Sequence, residues 1–320
     1  MAPPAAAGRV VRVLVTGAGG FVGRAVVDRL ACAGHEVTAL THRAQLGFPP
    51  GTTVVTADLL DRERLRGIAL DGRFDGACHL AALTRVRESF AEPLRYFSVN
   101  VGGTVNLLEA LAQLDQPCRL VFASTGAVYG PDAPQPVSEA HPPAPTSPYA
   151  ASKLAAEQVI AWQAAAGALG AVSLRCFNAA GAAGGVADTD LTRLIPKALA
   201  VARGAAPCLE VNGDGSVIRE FTHVADLADA YALALGAATV GQHEVYNVGG
   251  GTGVTLTEVI AAVEAVTGRV LPVRHRPAQN EPPVLVASSE RIRARLGWRP
   301  ARSTPRQIIA DAWACPHAPG

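Results

Sequence analysis

Four side chains in this sequence have the types and spacing to move a proton on and off an alcohol. They are Tyr149 and Lys153, four residues apart, and Ser124-Thr125 at the end of the apolar run Val121-Phe122-Ala123. A tyrosine holds its proton near neutral pH, with a reference pKa of about 10. An ammonium beside it favours the phenolate, and a spacing of four puts both groups on one helix face. The pair is therefore expected to act as a general base near pH 7, with Lys153 lowering the pKa of Tyr149. A hydroxyl such as that of Thr125 can donate to a ketone or accept from an alcohol. This chemistry needs a hydride carrier, and Val13-Leu14-Val15-Thr16-Gly17-Ala18-Gly19-Gly20-Phe21-Val22-Gly23 offers a place for one. It reads as a buried strand, a G-x-x-G-x-x-G turn and a helix start. Bare backbone and a helix N-terminus at Gly17, Gly20 and Gly23 favour a dinucleotide pyrophosphate.

Positioning these residues takes a particular scaffold. Strand-like runs at 10–15, 36–40, 53–56, 76–80, 119–123 and 171–175 alternate with helical patterns, clearest at 99–114 and 149–166. Such alternation predicts a doubly wound parallel sheet with helices on both faces and the ligand at the carboxyl ends of the strands. Ser147 and Pro148 suit the N-cap and first position of the helix carrying Tyr149. Beyond about Asn178 the pattern changes. A Gly/Ala-rich loop at 179–190 leads to a helix at 191–204. Strands at 209–211 and 220–224 flank a turn at Asn212-Gly213-Asp214-Gly215, and a helix follows at 258–267. The reading is α/β: a Rossmann-type dinucleotide domain over 1–178, with segments of about 221–250 returning to it, and a smaller C-terminal α/β substrate domain over most of 179–320. The Pro-rich stretch 131–148 is expected to form a loop over the site.

The bulk composition narrows the partners. Of 320 residues, 49% are hydrophobic and 17% charged, and a net charge of +1 gives no general attraction to nucleic acid. No apolar run reaches membrane-spanning length, and Met1–Gly8 reads as a frayed tail without a signal-peptide pattern, as does Pro316–Gly320. The cysteines are scattered without a C-x-x-C. They read as reduced packing residues of a cytoplasmic protein and not as metal ligands, so no metal is expected.

Together these motifs resemble the extended branch of the short-chain dehydrogenase/reductase superfamily, and within it the nucleotide-sugar epimerases. The likeness runs from about Arg9 to Pro300. It is carried by Thr16 to Gly23, His79-Leu80-Ala81-Ala82, Asn100-Val101-Gly102-Gly103-Thr104, Ser124-Thr125 with Val128-Tyr129-Gly130, Tyr149 with Lys153, and Phe177-Asn178. Arg219-Glu220-Phe221-Thr222-His223-Val224, Tyr246-Asn247-Val248-Gly249 and Leu296-Gly297-Trp298-Arg299-Pro300 complete it. The resemblance implies Thr125, Tyr149 and Lys153 as the catalytic set. It implies cofactor contacts from Gly17, Gly20, Phe21, Val22, Gly23, Asp58, Leu59, Leu80, Ala81, Ala82, Asn100 and Ser124, with Thr41, His42 and Arg43 at the adenosine ribose. It also implies substrate contacts from Asn178, Arg219 and Arg276, and a homodimer.

Departures from the family pattern refine the expectation. The Asp usual after the second strand is Thr41 here, with His42 and Arg43 behind it. Loss of that carboxylate points to NADP over NAD. The Asp-Glu pair of family dehydratases is replaced by Gly126-Ala127, which argues against dehydration. Near Arg276 the usual Arg-x-Gly-Asp-like segment reads Arg276-Pro277-Ala278-Gln279-Asn280-Glu281, with Glu281 a stand-in for the Asp. The expected activity is a 4-epimerase on a nucleotide-diphosphate sugar working through a transient 4-keto intermediate. The alternative is an NADPH-dependent 4-ketoreductase of a nucleotide deoxysugar, and a dinucleotide-sensing protein without turnover is a third reading.

Overall fold

The computed structural model describes residues 10–43, 47–278 and 282–315. Met1–Gly8, Pro316–Gly320 and the Gln279-Asn280-Glu281 segment lie outside the described residues. The first unit runs β1 (Arg12–Thr16), α1 (Phe21–Cys32), β2 (Glu36–Thr41), β3 (Thr53–Thr56), α2 (Arg62–Gly72) and β4 (Gly76–His79). It continues through α3 (Val86–Ala91), α4 (Pro93–Phe97), α5 (Gly103–Leu111), β5 (Cys118–Thr125), α6 (Pro148–Ala165) and β6 (Leu169–Cys176). Then come β7 (Asn178–Ala180), β8 (Ala182–Ala183), β9 (Val186–Ala187), α7 (Leu194–Ala202), β10 (Leu209–Asn212), β11 (Ile218–His223), α8 (Val224–Ala237) and β12 (His243–Val248). The chain closes with β13 (Gly253–Thr255), α9 (Leu256–Thr267), β14 (Val273–Arg276), β15 (Val284–Leu285), α10 (Glu290–Leu296) and α11 (Pro305–Ala314).

Seven parallel strands form the main sheet in the order β12-β6-β5-β4-β1-β2-β3. Its central strands β1, β4 and β5 are largely apolar runs because both faces are covered there. Val13 and Val15 pack with Val26, Val27 and Leu30 of α1 and Leu227 and Tyr231 of α8. Leu14, one residue out of phase, packs with Leu65 of α2, Leu107 of α5 and Ile160 of α6. The strand order reverses between β1 and β4, so the crevice opens there, where the glycine turn leaves β1.

Several boundaries differ from the sequence reading. The helix expected over 99–114 is shorter: a π turn at Ser98–Gly102 precedes α5. The segment expected as loop after Asn178 contains β7, which pairs in parallel with β11 (Asn178 opposite Phe221). β11 also pairs with β13 and β15, forming a sheet separate from the main one. A second core, with Ile195, Leu199, Val211, Val259 and Ile308, supports it. The chain returns to the main sheet through α8 and β12. The 131–148 stretch is pinned: Val137 N donates to Val286 O at 2.9 Å and Ser288 N donates to Val137 O at 2.8 Å.

One buried carboxylate locks the C-terminal segment onto α8. Asp226 accepts from Ala301 N at 3.1 Å, Arg302 N at 2.8 Å and Ser303 Oγ at 2.7 Å, while Trp298 Nε1 donates to the Asp226 carbonyl at 2.8 Å. Replacing it strands three donors, each costing about 1–3 kcal/mol if left unpaired and dry. Asp226→Ala should therefore lower the unfolding free energy by about 3 kcal/mol, allowing for partial rehydration. Urea denaturation reads this as an earlier midpoint with an unchanged slope.

Candidate active site

The floor of the crevice is set by close backbone approach. Gly17 has φ +68°, and a Cβ there would lie 2.6 Å from Ala81 N at the end of β4. A Cβ at Gly23 would lie 2.1 Å from Gly17 O, so α1 can rest on the turn only without a side chain. Gly20 is the N-cap of α1 and its N–H is bonded to Gly17 O at 2.9 Å. It offers no capping side chain, and the first turn of α1, Phe21 and Val22 included, holds no acid. The helix N-terminus is thus open to an anion, and the cradle is one that a Cβ would fill.

A buried chain of polar groups fixes the wall formed by β4. Thr104 Oγ1 donates to Asn100 O at 2.6 Å, so at 3.0 Å from His79 Nε2 it accepts from the ring. His79 Nδ1 then accepts from Thr16 Oγ1 at 2.7 Å, and Thr16 Oγ1 in turn accepts from Ala81 N at 3.2 Å. Burial pushes His79 down to about 3, so it is neutral. Leu80, Ala81 and Ala82 follow, half-buried. The Asn100 side chain binds Leu83 N at 2.8 Å, Leu83 O at 3.0 Å and Ser152 Oγ at 3.0 Å. It therefore ties this wall to α6.

At the outer rim, Thr41 is buried and its hydroxyl turns to Val55 O at 3.4 Å, while His42 and Arg43 are exposed. His42 Nδ1 lies 3.8 Å from the exposed Asp58 carboxylate. Leu59 is buried, and its side chain occupies the space beside Gly103.

The proton-handling groups meet at the ends of β5 and β6. Ser147 caps α6, accepting from Ala150 N at 3.2 Å, with Pro148 in the first turn, as expected. Tyr149 is 9% exposed, lies beside the Thr125 hydroxyl, and packs edge-on against Tyr96 at 6.4 Å between centroids. Lys153 is 3% exposed, with Nζ 4.0 Å from the centroid of the Phe122 ring. Here the expectation is corrected. Burial raises the Tyr149 pKa above its ordinary value, only partly opposed by the Thr125 hydrogen bond, and Lys153 is not among the groups that lower it. Lys153 itself is pulled down to about 7 by burial. Among protein groups alone, desolvation outweighs the attraction that the four-residue spacing suggests.

The predicted substrate residues separate. Asn178 and Arg219 share the β7–β11 sheet, with Asn178 Nδ2 donating to Glu220 O at 2.9 Å. Arg276 lies on a different, two-stranded sheet of β10 and β14, exposed and ion-paired with Glu210. Glu220 is fully buried and accepts from Gly251 N at 2.9 Å and Ala287 N. Burial pushes it up to about 7.

Sequence reasoning missed a second buried group. Glu157 binds Ser124 Oγ and makes a two-point pair with Arg175 (Nε–Oε1 3.1 Å, Nη2–Oε2 2.7 Å). Arg175 Nη1 donates to Tyr129 Oη at 2.9 Å, and Tyr129 Oη donates to Asn247 Oδ1 at 2.8 Å. The available signal was a lone acid one turn past Lys153 on the same face. Cys176, paired in register with Thr125, completes the wall with its thiol pushed up to about 12 by burial.

Residues 13–249 match the NAD dependent epimerase/dehydratase family. A UDP-glucose 4-epimerase of Streptomyces lividans is 41% identical over 316 residues, spanning 94% of this chain and 95% of that protein. One from Lacticaseibacillus casei is 36% identical over 94% of this chain and 95% of its own length. A solved UDP-glucose 4-epimerase from Brucella ovis in complex with NAD superimposes with a TM-score of 0.89 at 33% identity, covering 95% of this chain and 98% of its own. One from Stenotrophomonas maltophila, with bound NAD and formylated UDP-arabinopyranose, gives 0.87 at 31%, covering 95% and 97%.

His79 makes the wall acid-sensitive in a definite direction. Its folded pKa, about 3, lies below the unfolded value of 6.5, so the unfolded chain takes the proton first. The stability contributed above pH 6.5 is lost as pH falls through that window. Denaturation at about pH 7 and about pH 4 should show a larger loss for the wild type than for His79→Gln. Equal losses would place the acid sensitivity elsewhere.

Proposed function

The chain belongs to the NAD dependent epimerase/dehydratase family, and we propose that it is a nucleotide-sugar 4-epimerase of the UDP-glucose type, working through a transient 4-keto intermediate. The observation that carries this reading is the Thr125–Tyr149–Lys153 cluster beside a glycine cradle shaped for a dinucleotide, in a chain that aligns over 94% of its length with UDP-glucose 4-epimerases. The bound dinucleotide supplies a hydride acceptor that can return the hydride to either face of the sugar carbon. Tyr149 takes the proton from the sugar 4-hydroxyl and later gives it back. Thr125 holds that oxygen through its hydroxyl, which lies beside Tyr149. Lys153 is placed to hold the nicotinamide ribose. Asn178 and Arg219 hold the diphosphate while the 4-keto sugar turns over, Arg219 by its planar fork. Arg276 reaches the substrate only by leaving Glu210. The main-sheet elements from β1 to β6, with α8 and β12, form the dinucleotide unit, and most of the chain beyond Asn178 forms the substrate unit.

NAD is the cofactor we assign. Thr41 and Arg43 pointed to NADP, but that preference finds no support in the solved relatives, whose bound dinucleotide is NAD. The Asp58 carboxylate beside His42 restores negative charge at this rim, where a 2′-phosphate would meet it. Gly126 fits the absence of a dehydratase pair: a Cβ there would lie 2.7 Å from the Phe177 ring. The runner-up ketoreductase uses the same residues and differs in consuming NADPH.

The reading extends to assembly and compartment. Phe90, Leu94 and Trp162 are 60%, 85% and 78% exposed on α3, α4 and α6. Large apolar side chains so displayed are suited to covering by a second copy of the chain. Among the described residues no helix is long and apolar enough to cross a membrane, and the six cysteines are unpaired, which fits a reducing cytoplasm.

Purified protein should interconvert UDP-glucose and UDP-galactose without added NADPH. Stoichiometric NADPH consumption would favour the ketoreductase. Tyr149→Phe should cut kcat by about 10²–10⁴-fold while dinucleotide binding persists, as a lost general acid–base group requires. Leu94→Asp should convert a dimer to a monomer in light scattering. A wild type already monomeric at micromolar concentration removes that assignment.

A further inference from the structure

The buried face of α6 continues past Lys153 to a carboxylate that the reaction scheme does not use. Glu157 is 3% exposed, and both its oxygens are taken: Oε1 by Ser124 Oγ and Arg175 Nε, Oε2 by Arg175 Nη2. Ser124 and Arg175 are themselves register partners on β5 and β6. Glu157 is therefore held against the sheet from two strands and has little freedom to move. Lys153, one turn back on the same helix, has no direct ion pair among the described residues, only the Phe122 ring beneath it. Glu157 thus pairs directly with Arg175 and lies one helical turn from the second buried cation, Lys153.

We propose that Glu157 is a positioning residue of the proton-transfer site: clamped by Ser124 and Arg175, its carboxylate favours the ammonium form of Lys153 and fixes the end of β5 where Thr125 meets Tyr149. This rests on the epimerase reading for its meaning in catalysis, though not for its test.

Among the surrounding groups Glu157 is the largest influence favouring the Lys153 ammonium, with Cys176 the next. On α6 itself Tyr149 is protonated. From β4, His79 is neutral, and from β6 the Cys176 thiol holds its proton. Arg175 is spent on Glu157 and Tyr129. From β12, His243 is lowered by burial and bonded to Ser173 Oγ at 2.8 Å. Glu139 is directed to Asn247 N at 2.7 Å. Burial pulls Lys153 toward losing its proton, and Glu157 is the largest opposing influence. The plainer account is that Glu157 and Arg175 merely tie α6 to β6. That account leaves the titration of Lys153 indifferent to the charge at 157.

The sequence makes this measurable, because Lys153 and Lys197 are its only lysines. Lysine labelled with ¹³C at Cε gives two signals, assigned by Lys197→Arg, and each is titrated in the intact protein. Glu157→Gln should move the Lys153 midpoint down by at least about half a pH unit, roughly threefold in its dissociation constant. Lys197 should stay fixed. Arg175→Gln, which removes the competing cation, should move Lys153 upward and serves if Glu157→Gln does not fold. The alkaline limb of the kcat/KM profile should shift with the Lys153 midpoint. A Lys153 midpoint unmoved in the folded variants overturns the proposal. Wild-type protein without epimerase turnover but with a responsive Lys153 would overturn the functional reading and leave this one standing.

Discussion

Keeping a positive charge inside the protein is the constraint on which the crevice depends. An ammonium taken out of water is strongly disfavoured unless something answers it. Around Lys153 the answer is spread: an aromatic face at 4.0 Å and a carboxylate one helical turn away. The α6 period supplies this by placing residues 149, 153 and 157 on one stripe. The sheet supplies the rest, since β5 and β6 end at the same level and turn the register partners Ser124 and Arg175 toward that stripe. A buried ion pair such as Glu157–Arg175 adds little net stability over apolar packing. Its presence here follows better from the charge that the site must hold than from the core it sits in.

What could be read from the sequence was what the backbone dictates. Gly17 and Gly23 are legible because no side chain fits where those carbonyls and amides approach. Ser147-Pro148 is legible because a helix start needs a cap and tolerates proline. The apolar runs of β1, β4 and β5 are legible because a sheet covered on both faces leaves no position for polar alternation. What the sequence withheld depends on distance in the fold. Glu157 and Arg175 meet only through α6 lying on β6. The strand at Asn178–Ala180 exists because β11 comes to lie beside it, and the π turn before α5 has no local signature. The sign of the Tyr149 shift was misread for the same reason. A spacing of four shows which groups are near, whereas burial, which decides the sign, appears only once the helix is packed.

The departures from the family pattern are not scattered through the fold; they lie where its walls meet ligand-facing space. Thr41 withdraws a carboxylate from the rim, while Asp58 on the neighbouring strand connection brings one back beside His42. Glu220 turns inward beside Arg219, where its carboxylate gathers Gly251 N and Ala287 N and fixes the loops that flank Arg219 on β11. Gly126 gives its space to the Phe177 ring, and Phe177 immediately precedes Asn178 on β7. A side chain at 126 would press on the strand expected to carry the diphosphate contact. The lack of a dehydrating acid pair and the seating of that strand are thus one packing solution, and the chemistry left to the crevice is what Thr125, Tyr149 and Lys153 can do alone: move a proton at a single oxygen.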